Sequence, residues 1–489
     1  MNPVVGIAAF VAVSLATAVI GFYGLRISRT TGDFYVASRT VRPWWNASAI
    51  GGEYLSAASF LGVAGLILLS GTDALWFPIG YTAGYLMLLL FVAAPLRRSG
   101  AYTIPDFTEV RLDSRRVRRV TSLVVVVVGW LYIVPQLQGA ALTIRITTGL
   151  PSWVGSVAVV IVVCLTVVAG GMRSITFVQA FQYWLKLTAM AVPIVFIALV
   201  LAGNGTPAIA EANANPTGLA PSGPYQNISL LVALLFGTLG LPHVLVRFYT
   251  NPDGHSARRT TLIVLGLLSV FYLFPTAYGL AGRMFAPGLA EGGSADALVL
   301  LLPGRLVGGP AGDMLSALVV AGAFAAFLST TSGLVVSLAG VISQDVLGGS
   351  VRGFRLAALI SATVPLGFAF TTGSLALAGS VGLVFAFTAS TICPALLLGI
   401  WWRGLTDAGA IAGMVTGGVL CGGAMVAGAL SGSGSATPAW LAQPAAWTVP
   451  AAFAVMILVS RATKDRVPRT LTRVMTRLHT PERPLATER

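Results

Sequence analysis

Ile50-Gly51-Gly52-Glu53-Tyr54-Leu55-Ser56-Ala57-Ala58-Ser59-Phe60-Leu61-Gly62 is the stretch on which the reading of this chain turns. It lies within an apolar segment, 46–70, long enough to cross a bilayer. A charge at membrane depth costs roughly 2.5–3.5 kcal/mol on insertion scales, so Glu53 marks a place with a task. Gly51-Gly52 loosens the helix just where a spanning helix should be continuous. A helix broken near the membrane midplane is a common way for secondary transporters to build an ion and substrate site.

The rest of the chain agrees. Of its 489 residues 56% are hydrophobic and 9% charged, with a mean hydropathy of +0.85. An average soluble domain is about 25% charged. The composition points to an all-α integral membrane protein. Apolar windows divide it into about thirteen spans. They lie near 4–24, 46–70, 75–96, 120–145, 152–171, 176–202, 227–250, 260–284, 312–345, 354–372, 375–402, 408–431 and 440–461.

The net charge of +14 does not point to nucleic acid. Its basic residues fall in short loops between spans, most densely from Arg97 to Arg119, which is the positive-inside pattern. That places the N-terminus outside and the C-terminus in the cytoplasm. Arg26 and Arg29 follow the first span instead of preceding it, so this span reads as a retained helix and not as a signal peptide. Arginine far outnumbers lysine amid abundant Ala and Gly. This bias suits a GC-rich bacterial genome and hence a bacterial inner (plasma) membrane. Cys164, Cys393 and Cys421 lie in apolar spans with no metal spacing and read as packing residues.

A second interruption, Phe236-Gly237-Thr238-Leu239-Gly240-Leu241-Pro242-His243, comes five spans after the first. Paired interruptions imply a five-plus-five inverted repeat. One repeat covers about 46–202 and the other about 227–402, with one extra helix before and two after, all within a single transporter domain, 1–461. The loops Gly203–Gln226 and Pro287–Pro310 read as external lids or linkers. The tail, 462–489, is basic. Val467, Leu471, Val474, Met475 and Leu478 recur at helical spacing beside Arg466, Arg469, Arg473 and Arg477, which suggests a helix on the anionic lipids of the inner leaflet.

At a break, one half-helix leaves carbonyls free and the other leaves N–H groups free. Carbonyls near Gly52–Leu55 suit a cation, and N–H groups from Ser56 onward suit an anion. Pro242 suits the opening turn of the second inner half-helix. A third cluster, Ser329-Thr330-Thr331-Ser332, sets four hydroxyls together in mid-membrane. Hydroxyls commonly bond their own i−4 carbonyls, but facing the first break they would complete an oxygen cage for a hard cation.

These segments resemble the sodium/solute symporter family and, within it, the cation/acetate (monocarboxylate) symporters. The resemblance rests on Gly52 to Gly62, Gly170-Gly171-Met172, Gly240-Leu241-Pro242-His243 with Arg247-Phe248, and Leu328-Ser329-Thr330 leading to Ser343-Gln344-Asp345. It implies a leucine-transporter-like fold, sodium as coupling ion and no organic cofactor. Carried over by position, the sodium ligands are the carbonyls of Gly52, Leu55 and Ala326 and the hydroxyls of Ser329 and Thr330.

Two departures follow. Sugar and proline members carry an Asp where this chain has Gln179, so a second cation site resting on that Asp is in doubt. Sugar carriers have Glu-Gln where this chain has Ala58-Ser59, which argues against a polyhydroxylated solute. Candidate substrate residues are Tyr54, Ser56, Ala57, Ser59, Gln136, Thr238, Gly240 and His243. Candidate coupling residues are Glu53, Gln179 and Lys186.

The expected function is sodium-coupled import of acetate, propionate or pyruvate by alternating access. The alternatives are proton coupling through Glu53, or sodium symport of another small organic solute. Lys186 either pairs with Glu53 or snorkels to an interface, and Arg247 reads as a packing residue that snorkels to the cytoplasm. No nucleophile–base pair or metal cluster supports an enzyme. Expected partners are a small carboxylate and the bilayer, with no nucleic acid and no obligatory protein partner.

Overall fold

The computed structural model describes residues 3–25, 41–204, 223–291, 295–371, 376–431 and 437–482, and among these the chain is helical with no strand. Ten helices are long and apolar enough to cross a membrane, and a bent pair, Pro224–Gly240 with Pro242–Phe248, makes an eleventh span. Two of these ten, counted among the described residues, cover more than one expected span. Trp153–Asn204 bends at Gly171 (φ 58°, ψ −156°) and covers the expected spans 152–171 and 176–202. Ala58–Phe91 joins the second half of the first broken helix to the next span through Gly71 at φ 63°.

Both expected interruptions are real. Pro43–Tyr54 ends at the first, and a short π-helix, Ala58–Gly62, restarts the chain and runs into Val63–Ser70. The second separates Pro224–Gly240 from Pro242–Phe248 by a bend of 46°. At each, residues in non-helical conformation lie at the break: Leu55 (φ −73°, ψ 84°) and Leu241 (φ −67°, ψ 114°). Pro242 opens its half-helix, as its missing N–H allows.

Gly309–Asp345, which carries the four hydroxyls, is the central post, and its most apolar stretch is entirely buried. It packs against Trp153–Asn204, Arg115–Thr148, Val351–Thr371 and Pro3–Leu25. Its Ala- and Gly-rich sequence lets these backbones approach closely, as membrane helix packing requires.

Arg118 fastens its C-terminal end. It reaches Asp345 at 2.6 Å and Asp106 at 2.8 Å, and so ties the Ser343-Gln344-Asp345 motif to Ile104–Leu112.

Two outer regions differ from expectation. The stretch 287–310 is no plain linker. It folds into Gly288–Glu291 and Leu298–Leu306, and the latter packs on the central post with Leu298, Val299 and Leu302 buried. The tail forms a helix at Leu471–His479, but its apolar stripe faces protein and not lipid: Met475 and Leu478 are buried, and His479 Nε2 lies 2.8 Å from the Ile400 carbonyl. The loop residues 205–222, Arg26 and Arg29, and the tail beyond 482 lie outside the described residues.

Candidate functional site

The first break is where the central post, the long bent helix and the second broken helix meet. Gly52 has no room for a side chain, because a Cβ there would run into the Gln179 carbonyl. Gly333 is bare for the same reason, opposite the Glu53 carboxylate. These two glycines let three backbones close around one acidic side chain. Glu53, 1% exposed, is met by Arg247 at 2.7 Å, itself 1% exposed.

Arg247 therefore does not snorkel. Its guanidinium points inward, donating to Glu53, to Thr176 Oγ1 at 2.7 Å and to Gln179 Oε1. Gln179 passes the connection on, since its amide donates to the Ser329 carbonyl at 2.8 Å. Glu53 Oε2 is held by the guanidinium while Glu53 Oε1 has no partner, and removing one member of such a buried pair costs about 3–5 kcal/mol.

Lys186 follows neither expected course. It pairs with no carboxylate and reaches no interface. Its fully buried ammonium donates to the Gly52 carbonyl, to the Leu55 carbonyl at 2.7 Å and to Ser329 Oγ at 2.7 Å. An ammonium has three donors, and here each has one acceptor. Three of the five expected sodium ligands thus hold a lysine nitrogen.

The other two sit beside it. The Ala326 carbonyl is 3.1 Å from Ser329 Oγ, and Thr330 Oγ1 donates to the Glu53 carbonyl at 2.7 Å. Gln182, on the same helix face, instead bonds Thr17 of the first helix at 3.1 Å. A second cation placed about 3 Å from the ammonium would be repelled by roughly 5 kcal/mol at an effective dielectric near 20.

The expected substrate residues form a closed cluster on the other side of the break, all of them buried. The Ala57 N–H, freed by the break, donates to Gln136 Oε1 at 2.8 Å. The Tyr54 hydroxyl lies 3.2 Å from both Thr238 Oγ1 and the Tyr81 carbonyl, and Ser59 Oγ is 2.9 Å from the Tyr272 hydroxyl. Ser56 stands beside Tyr132. Gly240 packs on Thr388, which brings the second broken helix against the span Leu377–Trp401. The His243 ring is 5.1 Å from the Tyr132 ring, and neither of its nitrogens has a hydrogen-bond partner.

Four aromatic residues absent from the sequence reading complete this cluster: Tyr81, Tyr85, Tyr132 and Tyr272. Tyr81 stacks on Tyr272 at 5.8 Å, and Tyr85 meets Tyr54 edge-on at 4.6 Å. The hydroxyls of Tyr81 and Tyr85 lack partners. A signal for them existed. Tyr81 and Tyr85 are one turn apart in mid-span, where tyrosine is out of place, since it normally gathers at membrane interfaces.

Comparisons with known proteins agree with this architecture. A model of the sodium:solute symporter family matches residues 34–417. The uncharacterized symporter YwcA of Bacillus subtilis (strain 168) is 32% identical over 430 residues, 83% of this chain and 83% of that protein. Among solved structures, a Na+-coupled sialic acid symporter in a substrate-bound outward-open state superposes with TM-score 0.73 at 16% identity, covering 94% of this chain and 97% of that one. The nucleobase-cation-symport-1 family transporter Mhp1, closed around bromovinylhydantoin, gives TM-score 0.56 at 16% identity over 91% and 98% of the two chains. At these identities the structures speak for the fold.

Proposed function

We propose that this chain, which belongs to the sodium:solute symporter family, imports short monocarboxylates such as acetate, propionate or pyruvate. Its family and its structural neighbours are transporters and not enzymes, and they support sodium-coupled solute symport through a multi-pass membrane protein. The carboxylate is the finer reading, and one observation carries it. At the break, two buried cations, Lys186 and Arg247, face one buried carboxylate, Glu53. Beside this surplus of positive charge stand groups able to donate without a present partner: the His243 imidazole and the hydroxyls of Tyr81 and Tyr85. A compact anion balances the charge and answers those donors. A sugar needs many acceptors as well as donors, and Ala58 and Ser59 offer few.

The cluster is buried in the described conformation. Release requires one broken helix to rock away from the other, as alternating access in such repeats demands. The arginine-rich loops between spans support an N-terminus outside and a C-terminus inside, in a bacterial inner membrane.

The test is uptake of radiolabelled acetate by proteoliposomes under an imposed ion gradient, with protein-free vesicles subtracted because acetic acid crosses lipid unaided. Accumulation above that control, inhibited by unlabelled propionate or pyruvate but not by a sugar, supports the reading. Transport of a neutral solute with no response to monocarboxylates sinks it.

A further inference from the structure

We propose that Lys186 is a cation built into this chain, which takes the sodium position at the first break and excludes the ion from it. The inference rests on the family reading of that cage and concerns its occupant. The geometry carries it. The Gly52 and Leu55 carbonyls and Ser329 Oγ converge on one point, and Lys186 Nζ is at that point, within hydrogen-bond distance of all three. The ammonium is not there for lack of a better partner. Glu53, the one buried carboxylate nearby, is already engaged by Arg247. The amide of Gln179, two turns back on the lysine's own helix, holds the Ser329 carbonyl and so fixes the rotation of the central post that presents Ser329 Oγ.

A lysine ammonium and a sodium ion ask for the same thing, a small shell of hard oxygen ligands, and each carries one positive charge. Two such charges cannot share one cage, and the tethered one is always at hand. What the ion does in a cage of this kind is join the first broken helix to the central post. Lys186 performs that joining with a covalent anchor on Trp153–Asn204. It adds a third helix to the link that a free ion would not add. Sodium that drives this chain then binds outside the cage.

Lys186 is thus a specificity-determining residue for the ion, and its test needs no knowledge of the substrate. Binding of radioactive sodium to the purified protein would be measured in detergent at constant ionic strength, without solute, for the wild type, Lys186→Met and Lys186→Met with Ser329→Ala. The expected result is no saturable sodium binding at this cage in the wild type up to tens of millimolar. Lys186→Met gains a site at least tenfold tighter, and Ser329→Ala removes that site again.

Two outcomes overturn the proposal. One is wild-type sodium binding that Ser329→Ala weakens tenfold while Lys186→Met leaves it unchanged. The other is a folded Lys186→Met protein that gains no site. Should Lys186→Met fail to fold, the wild type against Ser329→Ala alone still decides. Sodium binding lost with the hydroxyl refutes the proposal, and binding that is absent or indifferent to the hydroxyl upholds it. Failure of acetate uptake leaves these results untouched, and failure here leaves the carboxylate reading standing.

Discussion

The two broken helices solve one problem in opposite ways. At the first break the chain supplies partners for four backbone groups. Lys186 takes the Gly52 and Leu55 carbonyls, Thr330 takes the Glu53 carbonyl, and Gln136 takes the Ala57 N–H. At the second, Pro242 removes one N–H from the problem, and His243 is buried with both ring nitrogens unpartnered. Unsatisfied polar groups in a membrane interior are costly, so natural structures keep them for a reason. The backbone of the first break is held by the protein itself, although Glu53 Oε1 and Ser56 Oγ have no partner, while at the second both nitrogens of a buried imidazole are unmet. The contrast divides the labour: the first break holds the helices together, and the second, with the tyrosines around it, is left open to a ligand.

Changes at the first break should therefore cost stability, and changes at the second should cost transport. The largest effect is expected for Arg247→Ala. It strands the Glu53 carboxylate, and a buried charge left alone costs about 3–5 kcal/mol. Thermal unfolding in detergent should drop steeply, and pairing Arg247→Met with Glu53→Gln should recover part of the loss. A double variant no better than Arg247→Ala would show that the pair is not the source of the cost.

Gln136→Leu comes next. It leaves the Ala57 N–H without an acceptor at a fully buried position, a desolvation penalty of about 1–3 kcal/mol. Melting should fall accordingly, with solute KM moved less than stability. A protein as stable as the wild type but unable to bind solute would place Gln136 on the ligand's side of the division.

His243→Ala sharpens the comparison from the other side. The imidazole has no partner to lose, so stability should change by less than about 1 kcal/mol, the packing of the ring on Tyr132 being the main loss. Solute affinity should drop tenfold or more. Large destabilisation with unchanged KM would remove His243 from the binding role and end the contrast drawn here.

Much of this was legible in the chain, for identifiable reasons. Gly51-Gly52 and Gly240-Leu241-Pro242 announce breaks because glycine and proline act through local backbone physics, which no tertiary context hides. Of the hydroxyl run, only Ser329 and Thr330 reach the first break, while Ser332 donates to the Ser329 carbonyl of its own helix and Thr331 Oγ1 has no partner. The partners of the charges were not legible. Arg247 lies in the last turn of its half-helix, where a snorkelling arginine is the ordinary outcome. Across the bend of 46° at the break it reaches Glu53 instead. Lys186 was read as seeking a carboxylate or an interface, because opposite charge is the visible rule in sequence. Backbone carbonyls carry no letter of their own. The tail helix erred in the same direction: its apolar stripe was plain, but a stripe does not say whether lipid or protein covers it.

Thr330→Val gives the smallest effect and the finest test of the first break. It deletes a single hydroxyl, keeps the β-branched shape of the side chain and leaves the central post packed as before. The hydrogen bond lost runs from Thr330 Oγ1 to the Glu53 carbonyl at 2.7 Å. A net hydrogen bond is worth about 1 kcal/mol, so melting should shift by a degree or a few. In the wild type the hydroxyl does not touch the Lys186 ammonium, whereas the hydroxyl of Ser329 does. Sodium binding in a Lys186→Met background should therefore fall less with Thr330→Val than with Ser329→Ala. If both hydroxyls matter equally there, the cage closes around a free ion differently from the way it closes around the lysine. The first break would then be a mobile clamp and not the fixed joint its hydrogen bonds describe.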